Sequence, residues 1–237
     1  MLVDVLSLPN PASWENFSYV MKKMKYGILF RNNVIITALA ITGIVAFSAI
    51  AAYIINRRSN KYSSIVYKII TLPMLIPFQT IMISLLKVTT IFHLSGSKIG
   101  LGIQYWGFGI PMATFIFFNF ITTVPFELDE SAEIDGATTF QTFMRIIFPL
   151  LKPVTFTVIV IDVMWIWNDF LLPLLMVNDS NETKTLVLAA YTFVGQFNTQ
   201  WQYAMAAMVL ALLPSVIIFI FLQKYIVQGV VAGAVKG

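Results

Sequence analysis

Long apolar stretches separated by short polar ones set the pattern of this chain. Residues 34–55 carry no charged side chain, and at ~1.5 Å per residue that run is long enough to cross a ~30 Å hydrocarbon core. Similar stretches at 69–86, 101–124, 154–177 and 204–222 predict five spans in all and an all-α, polytopic membrane helix bundle. The second stretch contains Pro73 and Pro77. Prolines inside spans are tolerated where neighbouring helices or water satisfy the freed carbonyls, which places this span within a bundle or beside a cavity. Small residues along the first span (Ala38, Ala40, Gly43, Ala46, Ser48, Ala49, Ala51, Ala52) suit close helix packing. Residues 1–31 combine Trp14, Phe17 and Tyr19 with Lys22, Lys23, Lys25 and Arg31. They read as an interfacial segment, with no apolar h-region or cleavage site of a signal peptide. Residues 32–237 then form one transmembrane domain.

The polar interlude at 125–153 departs from this pattern. Pro125 suits a first helical position, and Glu127, Asp129 and Glu130 place carboxylates near the positive end of a short helix. Asp135-Gly136 is a turn signal. Thr138 followed three residues on by Gln141 predicts a capping box opening a second helix. Phe140, Phe143, Met144 and Ile147 recur on that helix at helical spacing. Pro149 and Pro153 end it and begin the next span. The segment is an elbow on the membrane surface, with an apolar stripe that either packs on its own spans or meets another protein.

Composition narrows the classes. The chain is 58% hydrophobic and 11% charged, with a mean hydropathy of +0.82, far from the balance of soluble domains. Its basic pI of about 9.2 comes from Lys and Arg scattered between spans, with no aromatic-interleaved stripe of a nucleic-acid binder. No cysteine and one histidine, His93, leave no thiolate or His-cluster metal site; His93 is expected in a loop. Neither HExxH nor a Ser/His pair marks an intramembrane enzyme, and no GxxxxGK[ST] marks an ATP site. Lys and Arg number eight on one side of the five spans and seven on the other, which does not orient the chain by the positive-inside rule.

Several polar residues lie within or between spans. Asp162 sits about a third of the way along the fourth span, where an acid is a functional candidate by default. It shares a helical face with Trp165, Asp169 and Leu172. That face is either a pathway strip of rings and carboxylates, with Asn168 beside it, or a bundle-internal hydrogen bond from Asp162. Asn119 in the Phe-rich third span is expected to bond to another helix, and Lys87 to snorkel outward. The longest loop, 178–203, carries Asn181, Thr183, Gln196, Asn198, Gln200 and Trp201 and is either a solvated hairpin or a contact for another protein. The Asn-x-Ser/Thr triplets at Asn16, Asn178 and Asn181 are chance matches.

The interlude resembles the EAA loop of ABC-importer permeases: E-A-A, three residues, G, nine residues, I, one residue, L-P. Glu130, Ser131, Ala132, Gly136, Ile146, Phe148 and Pro149 stand at those spacings, with Ser131 and Phe148 as departures. Asp135-Gly136-Ala137, Phe143, Pro149-Leu150, Pro153, the run Trp167-Asn168-Asp169-Phe170 and the Gly229–Gly237 tail are similar to the carbohydrate-uptake branch. Within it, the smaller permease of maltose-type importers looks nearest. The resemblance implies a type I importer permease with six spans, one of them preceding this sequence. It implies a second permease, two cytoplasmic ATPase subunits carrying ATP and magnesium, and an extracellular solute-binding protein reached by Gln196, Asn198 and Trp201. The loop would then be the ATPase-coupling element, using Glu130, Ser131, Ala132, Asp135, Gly136, Ala137, Phe143, Ile146 and Pro149. It would face the cytoplasm together with 56–68 and the C-terminus. Asp162, Trp165, Asn168, Asp169 and Asn119 would border the pathway of a sugar or oligosaccharide. Glycerol phosphate or another polar solute, or a secondary transporter or channel, remain alternatives.

Overall fold

The computed structural model describes residues 13–194 and 200–234, with side chains as far as 223. Every element among them is helical. Helix α1 (Glu15–Lys23) ends on its basic residues Lys22 and Lys23, which complement the negative helix end. Lys25, at φ 52°, turns the chain into α2 (Tyr26–Arg58). The helix of the first span therefore begins before 34, within the segment read as interfacial. Two further helices are also long and apolar enough to cross a membrane: α5 (Lys98–Ile121) and α12 (Trp201–Ala234), the latter over Trp201–Gln223.

The other two expected spans are broken. The 69–86 stretch forms the end of α3 (Lys61–Thr71), a 3-10 turn at Leu72–Leu75, and the start of α4 (Phe78–Ile91). The two limbs are bent by 105°. Pro77 explains the corner: the residue before a proline is pushed out of the helical region, and Ile76 is extended at ψ 118°. The 154–177 stretch divides into α9 (Lys152–Asn168) and α10 (Leu171–Met176). Asp169 is extended at ψ 137°, and its Oδ1 accepts from the Leu171 N–H at 3.1 Å. Asp169 thus ends one helix with its backbone and accepts from the first turn of the next with its side chain.

The core lies between α2 and α5. Helical glycines allow the approach. A Cβ on Gly43 would strike the Trp106 indole, one on Gly109 the Ile44 side chain and one on Gly102 Leu39. Trp106 Nε1 donates to the Leu39 carbonyl at 3.1 Å, and Ile36, Ala40, Ile44, Leu101, Tyr105 and Phe117 are buried around the seam. Helix α12 packs on α9, where Trp167 Nε1 donates to Ala211 O at 3.2 Å. Helix α1 lies along α12 through stacked Tyr19 and Tyr203, 4.4 Å between centroids.

Two buried amides fasten the bundle at the end away from the elbow. Asn33 accepts from the Leu186 N–H at 2.8 Å, at the start of the short α11 (Leu186–Ala190), and donates to Trp167 O at 3.4 Å. Asn32 donates to Lys184 O at 3.0 Å and accepts from Lys98 Nζ at 3.2 Å. A buried amide left without partners would cost about 1–3 kcal/mol, so these bonds fix the register of α2 against the 184–186 segment.

Candidate functional site: an external elbow and an acidic cavity

The elbow forms as its local chemistry dictates. Helix α6 (Glu127–Ile134) carries Glu127, Asp129 and Glu130 in its first turn. It closes on Gly136 at φ 80°. There the Gly136 N–H donates to Glu133 O at 3.0 Å and the Ala137 N–H to Ala132 O at 2.9 Å. These two bonds make a Schellman cap, whose left-handed residue is ordinarily glycine. Thr138 then opens α7 (Thr139–Thr142) with the full capping box: the Gln141 N–H donates to Thr138 Oγ1, and the Thr138 N–H to Gln141 Oε1 at 2.8 Å.

Beyond α7 the helix widens into a π turn, Phe143–Ile147, before α8 (Phe148–Leu150). Pro149 has no N–H with which to close an α-helical ring onto Arg145, and the widened turn lies directly upstream. The chain then bends by 74° into α9. The expected four-residue stripe is split by this turn. Phe143 and Ile147 are buried, while Phe140 and Met144 are exposed.

The coupling candidates divide in the same way. Glu130, Ser131, Asp135, Gly136 and Pro149 are exposed, and Ala137 and Ile146 are half-buried. Ala132 and Phe143 point inward, so neither offers itself to another protein. Phe143 packs on Tyr53, 5.1 Å between ring centroids. The outermost apolar side chains of the elbow are instead Ile134, 86% exposed, and Phe140, 67% exposed.

The elbow is tied to the end of α2 through Asp129, one of the first-turn carboxylates, by Arg57 and Tyr53, which the sequence pattern did not single out. Arg57 Nε lies 3.0 Å from Asp129 Oδ2, both side chains mostly buried. The Tyr53 hydroxyl donates to Asp129 Oδ1 at 2.6 Å. Arg57 Nη2 donates to Val124 O at 3.1 Å and Pro125 O at 3.5 Å. Its guanidinium stands 5.5 Å from the centroid of the Phe126 ring, within cation–π range. Nothing in the local pattern of 56–68 distinguishes Arg57 from the adjacent Arg58; only its meeting with α6 does.

Within the bundle, Asp162 is 6% exposed and makes no hydrogen bond among the described residues, its Oδ2 being buried without a partner. The bundle-internal hydrogen bond is therefore not formed. Asp162 borders a cavity of about 400 Å³ with Trp165, Phe108, Met112, Met74 and Phe78. The proline-bent segment and the backbone of α5 at Gly107 and Gly109 border the same space. A smaller cavity of about 220 Å³ adjoins it, bordered by Trp165, Asp169, Phe78, Gln79 and Phe108. Trp165 is shared by both and meets Tyr105 edge-on at 5.4 Å. Asp162, Trp165 and Asp169 thus do line one strip, as their spacing predicts.

Two other pathway candidates do not join it. Asn168 accepts from Ser215 Oγ at 3.1 Å and donates to Met164 O at 2.7 Å, so it serves the α9–α12 packing. Asn119 donates to Phe115 O of its own helix at 2.8 Å and is exposed; the expected interhelical bond is replaced by an intrahelical one. Of the residues expected to meet a binding protein, Trp201 opens α12 and is 61% exposed, while Gln196 and Asn198 lie outside the described residues. Lys87 is exposed, and His93 occupies a turn at φ 54°.

The structure is thus a bundle of long apolar helices with a capped surface elbow and a cavity bordered by Asp162 and aromatic rings. The family model for the binding-protein-dependent transport system inner membrane component matches residues 29–232. The chain belongs to that family, and is a membrane permease subunit of an ABC importer rather than its ATPase. The probable starch degradation products transport system permease protein AmyC of Thermoanaerobacterium thermosulfurigenes is 39% identical over 236 residues, all of this chain and 85% of that protein. The multiple sugar-binding transport system permease protein MsmG of Streptococcus mutans is 35% identical, covering 97% of this chain and 83% of that protein. A bacterial ABC transporter involved in the import of the acidic polysaccharide alginate has a chain of the same fold. Its TM-score is 0.80 at 17% identity, over 94% of this chain and 83% of that one. Family membership removes the secondary transporter and channel as readings.

Proposed function

We propose that this chain forms, with a second permease, the membrane pathway for a sugar or oligosaccharide, and that an ATPase subunit docks on the α6–α7 elbow. The observation that carries the docking is the elbow itself. Ile134, Phe140, Glu130 and Asp135 are presented outward, on a turn held by a Schellman cap and a capping box. Exposed large apolar side chains on a stiff, capped turn suit insertion into a cleft of a partner. ATP and magnesium would be held by that partner, whose closure is a rigid-body movement that a stiff elbow can transmit. The elbow end, with 56–68, then faces the cytoplasm. Residues of the 178–203 loop, Trp201 among them, would meet the extracellular binding protein.

The solute class rests on the relatives, whose names specify starch degradation products and multiple sugars, and on the cavity. Trp165 and Phe108 offer flat apolar faces for sugar C–H surfaces, and Asp162 and Asp169 offer acceptors for hydroxyls. Among the described residues no Lys or Arg borders either cavity to neutralise a phosphate, and an unpaired anion in a low-dielectric site is costly. This sets neutral sugars above glycerol phosphate. The test is reconstitution of the chain in proteoliposomes with its second permease, ATPase subunits and binding protein. Malto-oligosaccharides, other oligosaccharides and glycerol phosphate would be compared for stimulation of ATP hydrolysis and uptake. Stimulation by glycerol phosphate alone would sink the sugar reading, and failure of the ATPase to co-purify would sink the docking.

A further inference from the structure

The geometry points to Arg57, Asp129 and Tyr53 as a positioning clamp that makes the elbow and the end of α2 move as one body. Displacement of the elbow is then delivered to the α2–α5 core and on to the Asp162 cavity. This rests on the elbow being the ATPase-docking element.

Arg57 serves three parts of the chain from one guanidinium. Nε faces Asp129 Oδ2 of α6 at 3.0 Å. Nη2 holds the carbonyls of Val124 and Pro125, at 3.1 and 3.5 Å, beyond the end of α5. Its plane stands over Phe126 in the linker. The planar fork of arginine can make these contacts together; a lysine ammonium, a point charge on a flexible stem, cannot.

Tyr53, one helical turn before Arg57, grips both limbs of the elbow. Its hydroxyl donates to Asp129 Oδ1 at 2.6 Å on α6. Its ring packs on Phe143 in the π turn that leads back to α9. With both carboxylate oxygens of Asp129 engaged from α2, α6 cannot rotate about the Thr122–Phe126 linker without breaking a mostly buried ion pair. From the clamp, α2 runs along α5 through contacts too close for a side chain at Gly43 and Gly109. Gly109 and Phe108 also border the Asp162 cavity. A rigid, contiguous path therefore joins elbow to cavity.

The experiment uses the full reconstituted importer and reads sugar taken up per ATP hydrolysed, together with co-purification of the ATPase. In Arg57→Gln and Asp129→Asn this ratio is expected to fall about tenfold, within the usual range of coupling energies, while hydrolysis continues. Arg57→Lys, which restores the charge without the fork, is expected to recover part of it. Tyr53→Phe removes one hydroxyl and keeps the packing, so it decides the matter if the charge variants do not assemble; its ratio is expected to fall less. An unchanged ratio in assembled Tyr53→Phe and charge-variant complexes would overturn the clamp alone. Loss of the ATPase from the unaltered complex would remove the docking reading and the clamp with it.

Discussion

The hydroxyl of Tyr105 on α5 donates to Asp169 Oδ2, at the end of α9, over 2.9 Å. Tyr105 is fully buried and also meets Trp165 edge-on. One side chain therefore contacts both the Asp169 carboxylate, at the break of the 154–177 stretch, and a ring that borders both cavities. A hydrogen bond to a charged group contributes about 1.5–3 kcal/mol. Tyr105→Phe should lower the thermal midpoint of the detergent-solubilised protein. It should also reduce uptake more than its loss of stability explains, because the Asp169 carboxylate beside the smaller cavity loses the bond that orients it. Equal uptake per folded protein in vesicles would show that the carboxylate needs no such support.

Gly136 has φ 80° and no atom within 4 Å of where a Cβ would stand, so a substitution there meets backbone strain and no collision. Left-handed backbone costs an L-residue roughly 1–2 kcal/mol, and asparagine less than alanine or valine. The expected order of uptake is Gly136, then Gly136→Asn, then Gly136→Ala, with Gly136→Val lowest. Gly136→Asp should likewise weaken ATPase co-purification and uptake. If Gly136→Val matched the unaltered protein in both assays, the turn would have no part in docking.

The features legible in the sequence were the local ones. The Asp135-Gly136 turn and the Thr138–Gln141 box are set by residues within four positions of each other, and each formed as its chemistry predicts. The strip of Asp162, Trp165 and Asp169 followed from helical spacing alone. What escaped was non-local or a matter of degree. Tyr53 and Asp129 are 76 positions apart, and an Arg-Arg pair at the end of a span reads equally well as a solvated cap. Asn32 and Asn33, which no local pattern marks, are both buried and bonded across the bundle. Asn119 looked like an interhelical bond, yet its own helix offered a carbonyl one turn back. The proline-broken 69–86 span was visible as prolines, but not as a 105° corner, because the bend angle depends on what packs around it.

The α2–α5 seam gives a second packing prediction. Gly43 lies against the Trp106 indole, whose Nε1 is already committed to Leu39 O. A leucine at 43 must push the indole out and break that bond, an overpacking cost of about 1–3 kcal/mol with the lost hydrogen bond in addition. Gly43→Leu should therefore reduce the amount of assembled protein in the membrane. Gly107→Ala, where nothing lies within 4 Å, should leave it unchanged. Quantitation of membrane-inserted protein and its melting in detergent would separate the two; equal behaviour would show that the seam tolerates separation.

Asp162 sets stability against transport. Its Oδ2 is buried without a partner beside Met112, Phe108 and Trp165, and an unsatisfied buried polar group costs about 1–3 kcal/mol. Replacing it with an apolar side chain of similar length removes that cost. Asp162→Leu is therefore expected to raise the melting temperature of the purified permease. It should also remove an acceptor from the cavity that a sugar hydroxyl would use, so uptake should fall. Asp162→Asn keeps the shape and a carbonyl oxygen, and its uptake should lie between the two. Opposite movement of stability and uptake is what a functional residue held at a structural cost produces. Unchanged uptake in Asp162→Asn and Asp162→Leu would take Asp162 out of the pathway and leave it an unexplained polar group in an apolar cavity.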